Sequence, residues 1–403
     1  MDTSRKRILF LAEGATMTHF VRPLALAGSL DPASYDVHFY CPARFAPLLH
    51  GRSFSVGTLD SMPGERFLAH LAKGAPLFPI DVVRRYVDED RGLIRGIRPH
   101  LVVGDMRPSL PIGTRLEGVP GAVLMNAYWS PYATHRSIIP ELPLTRVIPP
   151  RLLGGVYRLT EPIAHAIHVG QMNTVRREFD LPPLPRDLRA MYTDGDWVLY
   201  PDIPEFIPTP NRPDTHSYVG ICDWVPPVEK PDWWDRMVAD SRPKVFVSLG
   251  SSGPLHAIRA LAGALAGLPA CVVLSTSGRD IPGLPADWFV TRLLPFTETA
   301  RVARVVVSHG GSGGLYPALA AGTPVLGIPS NADQQLSTAV LVESGAGLGV
   351  RVEEVSTRRL QRALEKLLFD DAYSTAAHHI AEVFARYDSR SLFRAFLERA
   401  LPL

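Results

Sequence analysis

The sequence predicts an α/β protein made of two parallel-sheet domains. A buried strand, a loop of small residues and an Ala/Leu-rich helix follow one another in residues 7–30, and the same order returns in residues 244–265. Short apolar strands alternate with helical patterns in both halves, which is typical of parallel sheets covered on both faces. The 403 residues exceed one ordinary core and fit two domains of roughly 150 residues or more.

The further strands and the boundary between the halves follow from the same patterns. Strands are predicted at 36–40, 101–103 and 122–125 in the first half, and at 272–275, 289–292, 305–307 and 325–328 in the second. Residues 201–243 are crowded with proline, which lacks a backbone donor and resists continuous helix or sheet. We expect an N-terminal domain at 1–215, a linker at 216–242, a second domain at 243–385 and a C-terminal helix at 386–403 that packs back on the first domain. Because ligands bind at the carboxyl ends of parallel strands, two facing domains would share one cleft.

Composition and charge exclude several classes of protein. The net charge is only +2, so no broad basic surface for nucleic acid is evident. Cys41, Cys222 and Cys271 are scattered without the spacing of a zinc or disulfide site, which points to a reducing compartment. The basic residues 5–7 precede a short apolar run, but Glu13 ends it, and no apolar span of ~20 residues follows. We expect a cytoplasmic protein with no nucleic-acid partner and no stable membrane insertion; a homodimer stays open.

Residues 305–349 carry the most informative pattern, which reads as strand, glycine turn, helix, strand and an Asp-Gln pair. Gly310, Gly311, Gly313 and Gly314 permit a tight turn into the helix. The free N–H groups and the positive dipole end of such a helix form an anion site, to which His309 adds a ring N–H. A pyrophosphate suits it, whereas the dinucleotide fingerprint and the P-loop motif are both absent.

Two other interpretations of this turn remain open at this point. In the first, the glycines form only a tight connection between a strand and a helix and bind no ligand. Alternatively, the turn fits G-x-S-x-G with Ser312 as the nucleophile of a serine hydrolase, and Asp333 followed by His378 or His379 gives the chain order of its triad. Against the hydrolase, this elbow comes late and leaves only roughly 90 residues for the remaining strands.

Five features recur along the chain at a joint spacing. They are His19 after the first strand, the proline-rich segment, His309-Gly310-Gly311, Gly322-Thr323-Pro324 and Asp333-Gln334. Together they resemble the family 1 glycosyltransferases of GT-B fold, especially the bacterial macrolide-type enzymes that act on natural products, and the resemblance covers nearly the whole length. It implies two Rossmann-like domains facing across a cleft, a hexosyltransferase activity, a nucleotide-sugar co-substrate bound by the second domain, a small-molecule acceptor bound by the first, and no resident cofactor.

Several positions depart from the family pattern. Gly314 stands where a Thr or Ser usually holds a phosphate oxygen, so backbone donors must carry that contact. Pro317 replaces the Glu that binds ribose hydroxyls, which weakens the case for UDP and leaves a dTDP-sugar open. Leu293 and Phe296 replace the Trp and Gln that meet the base; Phe296 offers its ring or only its backbone. Pro23 comes one residue later than the proline of many relatives.

The resemblance and the residue chemistry together assign the proton transfer. His19 is the candidate general base, since imidazole titrates near neutrality and the residue follows the first strand at the carboxyl edge of its sheet. Asp105, just after the next central strand, is expected to accept the other ring N–H, as the His partner does in triads. The alternatives are that His19 is only a cap or surface group at the start of a helix, and that Asp105 only forms an ion pair within its loop.

The donor residues are expected around the late glycine turn. The amides of Gly311, Ser312 and Gly313, together with His309, would stabilise the departing pyrophosphate. The resemblance assigns Ser251 and Ser252 to the other phosphate, and Phe296 to the base. Asp333 and Gln334 would bind sugar hydroxyls, or Asp333 would only cap a helix at 335–344.

The acceptor residues are expected in the loop after the strand at 122–125, with residues 62–79 and 147–169 completing the pocket, although spacing cannot rank the residues of those two segments. Asn126, Tyr128, Trp129 and Tyr132 gather in that loop, and aromatic faces suit a planar or apolar aglycone, although they would equally fill a core. The chain has no D-x-D pair at a strand end, so no metal is invoked. A single displacement by the acceptor would invert the anomeric centre. A non-catalytic auxiliary homologue remains the alternative, because Pro317 and Gly314 depart from the family.

Overall fold

A computed structural model describes residues 5–134, 136, 138–139, 141, 143–148, 150–222, 228–250, 253 and 255–401. The chain divides into two compact units. Unit 1 comprises Met1–Ser137, Gly154–Trp224 and Tyr387–Leu403, and unit 2 comprises Ile138–Leu153 and Val225–Arg386. Residues 138–153, expected in the N-terminal domain, thus group with unit 2, where Arg351 donates a hydrogen bond to the carbonyl of Ile139.

Unit 1 is built on a seven-stranded sheet in which every pairing is parallel. Its strands are β1 (Lys6–Ala12), β2 (Tyr35–Cys41), β3 (Ser55–Thr58), β4 (Leu101–Asp105), β5 (Gly121–Leu124), β6 (Trp197–Tyr200) and β7 (His216–Tyr218). Their order in the sheet is 3-2-1-4-5-6-7, so the direction of winding reverses between β1 and β4. In open α/β sheets such a reversal is where ligands bind, because the loops after the two central strands run to opposite faces of the sheet.

Unit 2 is built on a six-stranded parallel sheet with the same kind of reversal. Its strands are β8 (Lys244–Ser248), β9 (Cys271–Ser275), β10 (Phe289–Thr291), β11 (Val305–Ser308), β12 (Val325–Gly327) and β13 (Gly347–Gly349). Their order is 10-9-8-11-12-13, which puts the switch point between β8 and β11.

The helices cover both faces of these sheets. In chain order they are α1 (Thr18–Ala27), α2 (Gly64–Ala72), α3 (Ile80–Ile97), α4 (Leu110–Glu117), α5 (Pro150–Glu178), α6 (Leu188–Tyr192), α7 (Trp234–Ala239), α8 (Leu255–Leu265), α9 (Phe296–Val302), α10 (Ser312–Ala320), α11 (Ala332–Glu343), α12 (Thr357–Phe369), α13 (Asp371–Phe384) and α14 (Ser389–Ala400). Because side chains alternate along a strand, β1 buries Phe10 against Phe39 and Phe393 of α14, and Leu11 on the opposite face with Leu110.

The α/β fold class and the predicted strands are confirmed, with bounds that shift by one or two residues. Strands β3, β6, β7 and β13 were not predicted. Residues 216–218, expected in the linker, form β7 because their backbone pairs with β6 and the Tyr218 ring packs 5.3 Å from that of Tyr200. Proline excludes strand from its own position but not from a three-residue stretch between prolines.

Candidate active site

His19 lies at the switch point of unit 1. It is the second residue of α1, which begins five residues after β1 ends. Its Nδ1 is buried and has no hydrogen-bond partner within the described residues. Burial, and then the neighbouring Arg22, lower the pKa of His19 to about 3. The imidazole is therefore neutral near pH 7 and has a lone pair that can take a proton.

Asp105, the last residue of β4, is fully buried and ion-paired with Arg22. Arg22 Nε and Nη2 each donate to one carboxylate oxygen at 2.7 Å. Burial alone would lower the pKa of Arg22, but the contact with Asp105 outweighs it and raises that pKa. The charge that acts on His19 is thus a cation, and the expected bond from His19 to Asp105 stays a prediction. Sequence reasoning missed Arg22, whose only signal was a charged residue on the apolar face of a short helix.

The same network occupies part of the predicted acceptor loop. Arg22 Nη1 donates to Asn126 Oδ1 at 2.6 Å, and Asn126 Nδ2 donates to Asp202 at 3.2 Å. Asn126 and Tyr128 are each only 4% exposed, so these two lie in the interior, as the core alternative expected. Tyr132 is 37% exposed, and its ring meets His216 edge-on at 5.3 Å.

An apolar cavity lies beside the fourth predicted acceptor residue. Its lining comes from the loop before α3, from α5 and from α6, and consists of Pro76, Leu77, Phe78, His168, Met172, Leu188, Met191 and Tyr192. Trp129 meets the Tyr192 ring edge-on at 5.2 Å. His168 Nε2 is buried without a hydrogen-bond partner in the described part of the chain. The cavity therefore has apolar walls and contains the unpartnered His168 Nε2. Pro76, Leu77, Phe78 and His168 fall within the segments 62–79 and 147–169 that were expected to complete the acceptor pocket, whereas the contribution of α6 was not expected.

The glycine turn of unit 2 connects β11 to α10 as predicted. Gly310 has φ +80, and a Cβ there would lie 2.2 Å from Thr338 Oγ1. A Cβ on Gly311 would lie 2.8 Å from His309 Nε2. Only glycine lets the backbone approach both side chains this closely. The turn therefore aims the start of α10 at the switch point between β8 and β11.

The start of α10 is a helix end without a side-chain cap. Gly311 is its N-cap residue and makes no side-chain capping bond, so the positive end of the helix dipole lies at the glycine turn. His309 Nδ1 is buried and lacks a partner within the described residues. Burial, and then Arg279, lower the pKa of His309 to about 4. The predicted anion site stays a prediction, which the positive helix end and the unpartnered ring nitrogen support.

The structure describes only some of the remaining predicted donor residues. Ser251 and Ser252 lie outside the described residues. Phe296 is the first residue of α9, and the centroid of its ring lies 5.0 Å from that of Phe246 in β8. Gln334 is 5% exposed, and its Oε1 accepts from Ser330 N and Oγ at 2.9 Å each.

Asp333 lies in the first turn of α11, one residue after the helix begins. The N-cap of that helix is Asn331, whose side chain accepts from Gln334 N at 3.1 Å. The capping alternative for Asp333 is therefore wrong. Its expected contact with sugar hydroxyls stays a prediction.

The serine hydrolase alternative is wrong. Ser312 begins α10, whereas His378 lies beyond the other end of that helix: a Cβ on Gly322 would be 3.3 Å from its Nε2. The nine residues of α10 separate its ends by roughly 13 Å. Both His378 and His379 are exposed on α13. The described residues also contain no group of three His, Cys, Asp or Glu side chains that could hold a metal ion.

Known proteins are similar to this chain in sequence and in fold. Residues 259–388 match the family described as Erythromycin biosynthesis protein CIII-like, C-terminal domain. The chain is 40% identical over 400 residues, 99% of its length and 88% of the relative's, to the PGL/p-HBAD biosynthesis rhamnosyltransferase of Mycobacterium bovis BCG. It is 41% identical over 261 residues, 65% of its length and 71% of the relative's, to an inactive PGL/p-HBAD biosynthesis glycosyltransferase of the same organism.

The fold agrees with solved structures of the same class. Spinosyn rhamnosyltransferase SpnG complexed with thymidine diphosphate matches with a TM-score of 0.66 at 16% identity, over 98% of this chain and 100% of that one. No helix among the described residues has the length and apolar character needed to cross a bilayer. The full-length relative, the matched family and the two parallel sheets agree with the residue motifs, so the chain belongs to the GT-B glycosyltransferases related to the erythromycin CIII-like enzymes and to the mycobacterial PGL/p-HBAD glycosyltransferases.

Proposed function

We propose that this glycosyltransferase moves a 6-deoxyhexose, such as rhamnose, from a dTDP-sugar to the hydroxyl of a phenolic lipid. The observation that carries the proposal is the buried His309 Nδ1, which has no hydrogen-bond partner within the described residues and lies beside the start of α10, a helix end without a side-chain cap. The names of the relatives support the substrate class: one is a rhamnosyltransferase of PGL/p-HBAD biosynthesis, and SpnG was solved with thymidine diphosphate. An aglycone of antibiotic type, which the macrolide resemblance suggested, has less support than a lipid phenol.

The reaction is a single displacement. His19 takes the proton of the acceptor hydroxyl, and that oxygen attacks the anomeric carbon. The bond from the anomeric carbon to the diphosphate oxygen breaks, and its electron pair leaves with the diphosphate. The α10 amides and His309 stabilise that charge, which is the part of the reaction where preorganised donors act most strongly. Attack opposite to the leaving group inverts the anomeric centre, and cationic and N–H groups take the role that a metal has in other transferases.

The preference for a deoxyribose donor follows from Pro317. This residue is buried inside α10, and proline offers neither a carboxylate nor an N–H to a 2′-hydroxyl. A uridine nucleotide would then leave its 2′-hydroxyl without the partner that the family's Glu supplies. We expect dTDP to bind at least as tightly as UDP.

Helix α5 supports a lipid acceptor. His168 and Met172 on this helix line the cavity. Towards its N-terminus the same helix exposes Val156 (62%), Leu159 (79%), Ile163 (62%) and Ile167 (59%), at spacings of three and four residues that place them on one face. A lipid acceptor would lie with its alkyl tail along this face and its aromatic head towards the apolar residues that line the cavity.

Transfer is tested with purified protein, dTDP-rhamnose and an alkyl 4-hydroxybenzoate, with the product followed by mass spectrometry and its anomeric configuration by NMR. We expect a rhamnoside whose configuration is opposite to that of the donor. His168→Ala should raise the acceptor KM by roughly 5- to 10-fold through one lost hydrogen bond, while His165→Ala on the same helix should not.

A second candidate is a lapsed homologue that binds nucleotide without transfer, as the inactive relative and the unusual Pro317 and Gly314 suggest. Retained dTDP binding with no transfer from any nucleotide sugar to any phenol would establish that alternative. Absence of binding to every nucleoside diphosphate would reject both candidates.

A further inference from the structure

Arg279 is a second cationic side chain at the carboxyl edge of the unit 2 sheet. It lies in the loop that follows β9, and its Nη1 donates to the carbonyl of Gly253 at 2.5 Å. Its Nε is buried and has no hydrogen-bond partner within the described residues. At least one donor of this half-buried guanidinium is therefore free of any protein acceptor that the structure describes.

No carboxylate neutralises Arg279 in the described part of the chain. The ion pairs there include Arg304 with Asp371 and Arg351 with Glu353 in the same unit, but none that contains Arg279. Burial accordingly lowers the pKa of Arg279. A partly desolvated cation without a counter-ion destabilises the free protein, and such an arrangement is relieved when an anion binds.

The surroundings of Arg279 place that anion beside His309. Arg279 holds the loop between β8 and α8 through Gly253. Gly250 of the same loop approaches the imidazole so closely that a Cβ there would lie 3.2 Å from His309 Cε1. The positive charge of Arg279 also lowers the pKa of His309, after burial itself. Arg279, the ring of His309 and the start of α10 thus surround the switch point between β8 and β11.

We propose that Arg279 binds the diphosphate of the nucleotide sugar directly, an inference that rests on the proposed function above. A guanidinium presents a planar fork of N–H donors that matches two phosphate oxygens, and it keeps its charge at every physiological pH. It adds a full positive charge to a cradle that otherwise consists of amides and a neutral imidazole. Arg279 therefore contributes both to donor affinity and to stabilisation of the diphosphate as it leaves.

The test compares ligands that differ only in phosphate. Affinities for dTDP are measured by titration calorimetry, and those for thymidine by ligand-observed NMR, with wild type, Arg279→Gln, Arg279→Lys and Arg362→Gln. Arg362 is exposed on α12, so its replacement changes the net charge equally without touching this loop. Loss of a charge-assisted bond predicts that Arg279→Gln weakens dTDP binding by about 10- to 100-fold and leaves thymidine binding unchanged. Arg279→Lys should keep part of the affinity, and Arg362→Gln all of it.

The outcomes separate this inference from the function on which it depends. If wild type binds neither dTDP nor UDP, the proposed donor site itself is rejected. If wild type binds dTDP and Arg279→Gln binds it equally well, Arg279 does not contact the diphosphate. If Arg279→Gln weakens thymidine and dTDP by the same factor, Arg279 only supports the loop at Gly253, which also overturns the inference.

Discussion

The two sheets place their switch points in the same topological position but surround them with different chemistry. In unit 1 the buried arginines are neutralised: Arg22 pairs with Asp105, and Arg107 pairs with Asp90 at 2.8 Å. In unit 2 the described edge carries the start of α10, the unpartnered His309 Nδ1, and Arg279, which forms no ion pair with a described residue. We therefore expect the topology to fix where a ligand binds and the residues at the strand ends to decide its charge: neutral beside unit 1 and anionic beside unit 2.

The difference also explains why His19 is isolated within a charged network. His19 Nδ1 has no hydrogen-bond partner within the described residues, and burial keeps its ring neutral. The proposal gives His309 of unit 2 a different neighbourhood, in which the other groups are also donors. Under that proposal the two histidines with lowered pKa values serve opposite purposes, one as a base and one as a hydrogen-bond donor to phosphate.

Removal of the base should have the largest effect on turnover. We expect His19→Ala to lower kcat by roughly 10²- to 10⁴-fold, the usual contribution of a general base, with dTDP affinity unchanged because unit 2 is intact. Initial rates and calorimetry check the two quantities separately. His50→Ala, an exposed histidine of the same unit, is the control. A parallel loss of dTDP affinity in His19→Ala would show that the two units do not divide the work in this way.

Breaking the neutralised network of unit 1 should cost stability. Arg22→Leu leaves Asp105 and the Asn126 amide oxygen buried without their donor, so the free energy of unfolding should fall by about 3–5 kcal/mol. Arg84→Leu removes an exposed pair with Glu178 and should leave the free energy of unfolding nearly unchanged, because solvent screens that pair. Urea unfolding measures both. Equal losses in the two variants would mean that the Arg22 network is not desolvated.

The donor turn of unit 2 should be sensitive to a single methyl group. Gly311→Ala puts a Cβ against His309 Nε2 and displaces either the ring or the amides, so kcat should fall by roughly 10²-fold, as for loss of one leaving-group donor. Gly267→Ala, an exposed glycine whose Cβ would meet nothing closer than 3.6 Å, should retain full activity. Unchanged kinetics in Gly311→Ala would remove this turn from the site.

The free energy of unfolding should also depend on pH, by less than the effects above, because both units bury histidines. Burial lowers the pKa of His19 to about 3, of His216 to about 4 and of His309 to about 4, from 6.5. The unfolded chain then binds more protons as pH falls from 6.5 towards 4, so the free energy of unfolding decreases over that window. Glu13 opposes this between pH 4.5 and about 6, because burial raises its pKa to about 6.

Bound dTDP sharpens this pH prediction. Its phosphates would raise the pKa of His309 alone, so the increase in Tm on adding dTDP should grow as pH falls from 7 to 5. Differential scanning fluorimetry across this range measures it. A Tm increase that is the same at every pH would place the phosphates away from His309.

Local patterns predicted much of the fold, because buried parallel strands are continuous apolar runs and need no partner to be seen. Strands β3, β7 and β13 were not predicted, because short strands such as these depend on pairing with a neighbouring strand. Gly347–Gly349 and His216–Tyr218 have only three residues each. The glycine turn was predictable down to Gly310 and Gly311, since its constraint is local.

The parts of the site that depend on distant residues were not predictable. Arg22 and Asp105 are 83 residues apart, so their ion pair leaves no spacing that a single sequence can show. Two segments of the cavity were expected, but α6 was not, because no sequence pattern links it to the other two. Asn126 and Tyr128 are buried, and their contact with an acceptor stays a prediction, because polar and aromatic side chains after a strand fit either a pocket or an interior.

The central claim is that backbone amides at the start of α10 hold the diphosphate of the donor. Hydrogen-exchange mass spectrometry with and without saturating dTDP tests it most directly, because it reports on those amides themselves. We predict that protection is concentrated in peptides covering residues 309–316 and is weaker or absent in peptides covering residues 13–22. Unchanged exchange at 309–316 while dTDP is demonstrably bound would contradict the account.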